Sequence, residues 1–83
     1  MEHNLPVTIY LYIHESVVIP MHVQVIPECT LSDLKKYIRS HSNYEPNHMA
    51  AYLDTVPMLQ NQVKWNLDKN IVTFVMRPYV AFA

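Results

Sequence analysis

The feature that most constrains this chain is a short amphipathic stretch at its middle, Thr30-Leu31-Ser32-Asp33-Leu34-Lys35-Lys36-Tyr37-Ile38-Arg39-Ser40. Leu31, Leu34 and Ile38 recur at i, i+3 and i+7, one stripe of a 3.6-residue helix, while Ser32, Lys35, Lys36 and Arg39 fall on the other side. Thr30 with Asp33 three residues on resembles a capping box, and the acid in the first turn and bases in the last suit the helix macrodipole. Asn43 can take a left-handed conformation and Pro46 cannot continue a helix, so the spacing predicts a stop near residues 41–43. About three turns of helix are marginal alone in water. Its stability has to come from a sheet laid over the apolar stripe.

Strand patterns flank the helix on both sides. Val7, Ile9, Leu11 and Ile13 alternate with Thr8, Tyr10, Tyr12 and His14, which predicts a half-buried strand over 7–14. Residues 15–18 lack the Asn-Gly or Asp-Gly of a tight primed turn and read as a wider hairpin loop. A second strand over 19–26 puts Met21, Val23 and Val25 on one face and His22, Gln24 and Ile26 on the other, and Pro20 and Pro27 near its ends mark it as an edge. After the helix, 42–48 reads as a loop, 49–53 as a short third strand, Asp54-Thr55 as a turn, and 56–59 as a fourth strand whose Pro57 again marks an edge. Residues 60–69 are polar but contain Val63, Trp65 and Leu67, which predicts an ordered, partly helical turn pinned to the core. The last strand, 70–77, buries Val72, Phe74 and Met76 and is half apolar on its other face through Ile71 and Val75. Pro78 ends it, leaving the apolar tail Tyr79-Val80-Ala81-Phe82-Ala83 to extend the strand or fray.

A chain of 83 residues reads as one domain, 1–83, and buries only about 60–65% of the surface its unfolded chain exposes, leaving little room for a deep cleft. No apolar run approaches the roughly 20 residues of a membrane span, and the polar start Met1-Glu2-His3-Asn4 has no signal-peptide character, so a cytosolic or nuclear location is the expectation. The single cysteine, Cys29, excludes an internal disulfide. A net charge of −1 provides no footprint for a phosphate backbone, so nucleic-acid binding is disfavoured. Glycine is wholly absent. Positive-φ positions must use other residues, and glycine-rich phosphate loops are excluded.

The order strand, strand, helix, short strand, short strand, pinned turn, strand resembles the ubiquitin-like β-grasp, an α+β fold in which a curled mixed sheet wraps one helix. Thr30-Leu31 with Leu34, Lys35 and Ile38 is similar to the start of the ubiquitin helix. Tyr52 to Met58 resembles its third strand, turn and fourth strand, Trp65-Asn66-Leu67 falls where ubiquitin has Tyr-Asn-Ile, and Lys69 to Arg77 looks like its final strand. Pro20 and the run Pro27-Glu28-Cys29-Thr30 are also similar to the ubiquitin-fold modifier. Conjugated members end in glycine, whereas this sequence reads Pro78-Tyr79-Val80-Ala81-Phe82-Ala83 after Arg77, so the resemblance implies a non-conjugating protein. Its kin would be the small accessory β-grasp proteins of type VII secretion, the ubiquitin-like spliceosomal proteins, or regulatory subunits of oxygenases.

In the β-grasp the first and last strands are central neighbours, with the third beside the last. That placement puts Thr8, Tyr10 and Tyr12 next to Thr73 and Val75, with Tyr52 alongside and Arg77 at the rim, all away from the helix. Rings with hydroxyl tips suit protein contacts, and the family commonly binds through this face; the bland alternative is a solvated surface of good strand formers. The histidines His3, His14, His22, His41 and His48 and Cys29 match no metal-ligand spacing, and no metal or cofactor is expected. Cys29 has no recognisable base, and Lys35, Lys36 and Arg39 read as a solvated basic face. The expected function is a non-enzymatic protein-binding module acting through Tyr10, Tyr12, Tyr52, Thr73, Val75 and Arg77. The alternative is a subunit of a larger complex, held by its fourth-strand edge or its tail, through which a homo-oligomer could also form.

Overall fold

A computed structural model describes residues 4–77 of the chain. Strands β1 (Leu5–His14) and β2 (Val17–Val25) precede the helix α1 (Leu31–His41), and a one-turn 3-10 helix (Pro46–His48) leads into β3 (Met49–Leu53), β4 (Val56–Pro57) and β5 (Asn70–Met76). The five strands form one sheet in the order β2-β1-β5-β3-β4. β1 and β5 run parallel at its centre and the remaining pairs are antiparallel. The two strands marked as edges by Pro20 and Pro57 are the two edges. The tail 78–83 lies outside the described residues.

The helix stripe does what its spacing predicts. Leu34 and Ile38 are fully buried among Leu5, Val7, Ile9 and Leu11 of β1, Val25 of β2, Met49 of β3, and Val72 and Phe74 of β5, with Leu31 half-buried beside them. The start of α1 leaves no orphan donor. Leu31 N donates to Asn61 O (2.8 Å) and Ser32 N to Asn61 Oδ1 (2.9 Å), Asp33 N to Thr30 Oγ1 (3.2 Å), and Leu34 N to Thr30 O (3.1 Å). Thr30 N donates back to Asp33 Oδ2 (3.0 Å), completing the capping box and holding the Asp33 carboxyl below its ordinary pKa. The helix ends at Ser42 in an extended conformation rather than at a left-handed Asn43. The Ser42 hydroxyl donates to Ile38 O (2.8 Å) and accepts from Tyr44 N (3.2 Å), so a side chain supplies the stop that a glycine would otherwise provide.

Several connections differ from the sequence-based expectation. The β1–β2 hairpin is tight, with Glu15 and Ser16 alone between the paired His14 and Val17. Neither has the positive φ of a primed turn, and the register slips between Tyr12 and His14, where Ile13 is the extra residue of a bulge that restores local twist. β4 stops at Pro57 instead of reaching Leu59. Residues 60–69 contain no helix; they are ordered by polar contacts, Asn61 on the helix start and Trp65 Nε1 donating to Cys29 O at 2.9 Å. Leu67, expected as an anchor, is 80% exposed. Its place is taken by the buried Asn70, whose Oδ1 accepts from Asn66 N (2.7 Å) and whose Nδ2 donates to Asn66 O (2.9 Å) and Pro6 O (3.3 Å). An interior amide costs little when its polar atoms find partners.

The β3–β4 turn concentrates the strain of a glycine-free sequence. Asp54 (φ 49°) and Thr55 (φ 71°) both occupy the left-handed region, as a two-residue primed turn requires. Asp54 is held there by its N–H on Ile71 O (2.9 Å) and by Asn66 Nδ2 donating to its Oδ2 (3.1 Å). Among the described residues no side-chain bond compensates Thr55, a β-branched residue in a region that costs about 1–2 kcal/mol. Thr55→Gly is therefore expected to stabilise the domain by about 1 kcal/mol, raising the midpoint of thermal unfolding by roughly 4–8 °C; a lower midpoint would refute the strain.

On the far side of α1, Arg39 grips Glu45 through Nε (3.0 Å) and Nη2 (2.9 Å), and Asn47 N donates to the same carboxylate at 2.9 Å. The Arg39 bonds first, and the Asn47 N–H second, lower the Glu45 pKa from its ordinary 4.5 to about 2. A depressed folded-state pKa contributes stability that is complete above about 4.5 and is lost as pH falls toward about 2. Glu45→Gln should flatten the acid limb of stability against pH over that window, read from urea midpoints between pH 5 and pH 2. The pair is solvent-exposed, so the effect is small and salt-sensitive.

Candidate functional site

With α1 covering one face of the sheet, the alternation of every strand points a second set of side chains the other way. On β1 the odd residues from Leu5 to Leu11 are buried, which turns Thr8, Tyr10 and Tyr12 outward. Strand pairing then assembles two rows across the open face. Pro20, Tyr10, Thr73, Tyr52 and Pro57 lie side by side in one, and Val18, Tyr12, Val75 and Ala50 in the next. Five of the six residues singled out from the sequence, Tyr10, Tyr12, Tyr52, Thr73 and Val75, are thus brought together. Arg77 sits one residue past β5, exposed, its N–H on His48 O at 3.2 Å, at the end of the face where Tyr12 and Val75 lie.

The patch is amphipathic. Tyr10 and Tyr12 pack with ring centroids 6.5 Å apart and planes tilted by 57°, and Tyr12 is 39% exposed while Tyr10, Tyr52, Thr73 and Val75 are half-buried by their neighbours. No Asp or Glu occupies a strand position on this face; His22 lies in the next row, its Nδ1 3.4 Å from Thr8 Oγ1. Val18 and Pro20 are additions that sequence reading missed. Carrying the alternation of β2 two residues toward the hairpin would have found them, but the tight turn was not recognisable without glycine or asparagine.

The remaining candidates are occupied in structural roles. Cys29 is buried, its Sγ 3.6 Å from Thr30 O, and burial first and the Asp33 charge second push its thiol pKa up, away from a reactive thiolate. His41 stacks on Tyr37 at 4.0 Å and places Nδ1 2.9 Å from Tyr37 O. Among the described residues no group of three or more His, Cys, Asp and Glu side chains is arranged to hold a metal ion. The basic helix face, expected to be solvated, is partly engaged: Lys35 Nζ donates to Asn47 Oδ1 at 3.1 Å and Arg39 pairs with Glu45. No helix among the described residues is long and apolar enough to cross a membrane.

No protein-family model matches the chain, and no curated protein matches it in sequence. Among solved structures it is similar to a Caldiarchaeum subterraneum ubiquitin, with a TM-score of 0.68 at 11% identity, the match covering 96% of this chain and all of the other. At that identity the likeness is one of backbone course, and it agrees with the sheet order, the parallel central pair and the helix position derived above. The chain has the ubiquitin-like β-grasp fold.

Proposed function

We propose that this domain is a non-enzymatic protein-interaction module that binds a partner non-covalently through the open sheet face. The observation that supports it is the pair of adjoining rows in which three tyrosines, Val18, Val75 and two prolines line up with no carboxylate between them. Tyrosine rings bury large area at low entropy cost and keep a hydroxyl for a polar partner, which suits a surface that must be soluble when free and dry when bound. Arg77 at the end of the face supplies a rim charge. The 83 residues contain no glycine, which favours association over conjugation. The buried, unpaired thiol of Cys29 is consistent with action in a reducing compartment, the cytosol or nucleus.

The alternative, a subunit held by an edge strand, has less support. Both edges carry a proline, and on β4 the neighbouring Met58 N donates inward to Ala51 O at 2.9 Å, so the missing N–H of Pro57 falls on the side where an added strand would pair. The tail version of that reading falls on 78–83, outside the described residues.

The test is affinity capture from the native organism with the tagged domain, followed by titration of the purified partner. Tyr10→Ala with Tyr52→Ala should keep the far-UV circular dichroism spectrum and weaken binding by about 30-fold or more, the loss of one buried hot spot at least. Removal of Tyr79–Ala83 should leave affinity unchanged. A partner that tolerates the tyrosine pair but is lost with the tail would replace this reading with the subunit one.

A further inference from the structure

Around β4, adjoining the tyrosine rows at Pro57, the chain builds a second apolar surface. Val56, Met58, Leu59 and Val63 line an open groove of about 470 Å³, with Asp54 and Lys64 at its charged positions. Leu59 is 88% exposed and Val56 62% exposed, the former the most exposed of the large hydrophobic residues described. Isolated apolar residues on a surface need no explanation, but here they converge on one concavity.

The groove is also pre-shaped. Its entry is fixed by the left-handed Asp54-Thr55 turn and by Met58 N on Ala51 O. Its far wall is fixed by Asn61, which accepts from Leu31 N (2.8 Å), Ser32 N (2.9 Å) and Ser32 Oγ (2.7 Å) at the start of α1. A loop held at both ends spends little entropy on binding. The charges have a definite sense. The Asp54 carboxylate is taken up by Asn66 Nδ2 (3.1 Å) and Ile71 N (3.4 Å). The one ion pair among the described residues is Arg39 with Glu45, on another part of the surface, so among those residues the Lys64 ammonium has no carboxylate partner. An apolar trough with one available cation complements an apolar side chain carried next to a carboxylate. An added strand is refused by Pro57, so the occupant must enter by its side chains.

We propose that this groove is a second docking surface, independent of the tyrosine face, for a partner segment in which a large aliphatic or aromatic residue is flanked by Asp or Glu. The probe is a randomised display library of twelve-residue peptides, selected in parallel on the wild-type chain and on the folded Tyr10→Ala/Tyr52→Ala variant. Both baits should enrich peptides pairing Leu, Ile or Phe with a neighbouring acid. Synthetic versions should shift the backbone amide resonances of Val56, Leu59, Val63 and Lys64. Leu59→Ser should weaken them at least tenfold, and Lys64→Glu should exchange the acidic preference for a basic one; both positions are exposed, and circular dichroism confirms folding. Retained binding to the double-tyrosine variant keeps this result separate from the outcome for the sheet face. Failure to enrich any peptide, enrichment indifferent to acid, or binding that survives Leu59→Ser would overturn the proposal. So would a concentration-dependent dimer abolished by Leu59→Ser, which would make a second copy the occupant.

Discussion

The closure of one helical stripe over two parallel strands is the contact on which the molecule depends. Leu34 and Ile38 are the fully buried residues of α1, flanked by half-buried Leu31 and Tyr37, and they share one core with Ile9, Leu11, Val72 and Phe74 of β1 and β5, which are sealed from water. Neither partner is stable without the other: an eleven-residue helix is marginal in water and a bare sheet would expose its apolar face. Because β1 and β5 are joined through the whole intervening chain, their parallel pairing also closes the longest loop in the fold. Every residue between them is positioned by that closure, including both surfaces proposed as contact sites.

The second constraint is the lack of glycine, whose effects appear wherever the backbone must reverse. At β1–β2 the chain avoids positive φ and adds Ile13 as a bulge; at β3–β4 it accepts positive φ in Asp54 and Thr55 and holds Asp54 with side-chain and backbone bonds. At the end of α1 the Ser42 hydroxyl answers the free carbonyl. These are three different solutions to one stereochemical problem, and the second and third commit polar side chains, Asp54 and Ser42, to backbone groups. Asn61 belongs to the same pattern. By supplying both its carbonyls to the first turn of α1, it ties the loop after β4 to the helix and removes that helix start from the inventory of anion sites.

Element types and the open face were legible because they follow from periodicity. The two-residue alternation of β1 and the i, i+3, i+7 spacing of Leu31, Leu34 and Ile38 are read the same way in a string as in space. Register was not contained in that reading. The β-grasp resemblance supplied the neighbouring strands and so set Tyr10, Tyr12 and Tyr52 beside Thr73 and Val75; that Tyr10 stands between Pro20 and Thr73, and Tyr52 between Thr73 and Pro57, is read only from the strand pairing. Illegible parts were those decided by side-chain polar contacts over long sequence separations. Hydrophobicity marked Leu67 as an anchor, yet the anchor is Asn70, because an amide that satisfies Pro6 and Asn66 at once fixes the segment more specifically than a leucine would. The groove beside β4 escaped for a related reason: Leu59 looked like strand, and only the end of pairing at Pro57 turns it outward.

The two surfaces differ in how their apolar groups are presented, and that difference bears on what each can recognise. Tyr10 and Tyr52 are half-buried by cross-strand neighbours and Tyr12 is exposed beside Tyr10, so the positions of the rings are set by the sheet and a partner meets an ordered array. Leu59 projects from a loop whose ends are pinned but whose own side chain touches little, so a partner supplies most of its packing. An ordered array discriminates by area and by the placement of hydroxyls; a trough beside one ammonium discriminates by a single inserted side chain and its charge. They meet at Pro57, which pairs with Tyr52 and lines the trough. The proline at that junction removes an N–H that a strand added to β4 would need, so both proposed surfaces would have to engage a partner through side chains rather than through sheet extension.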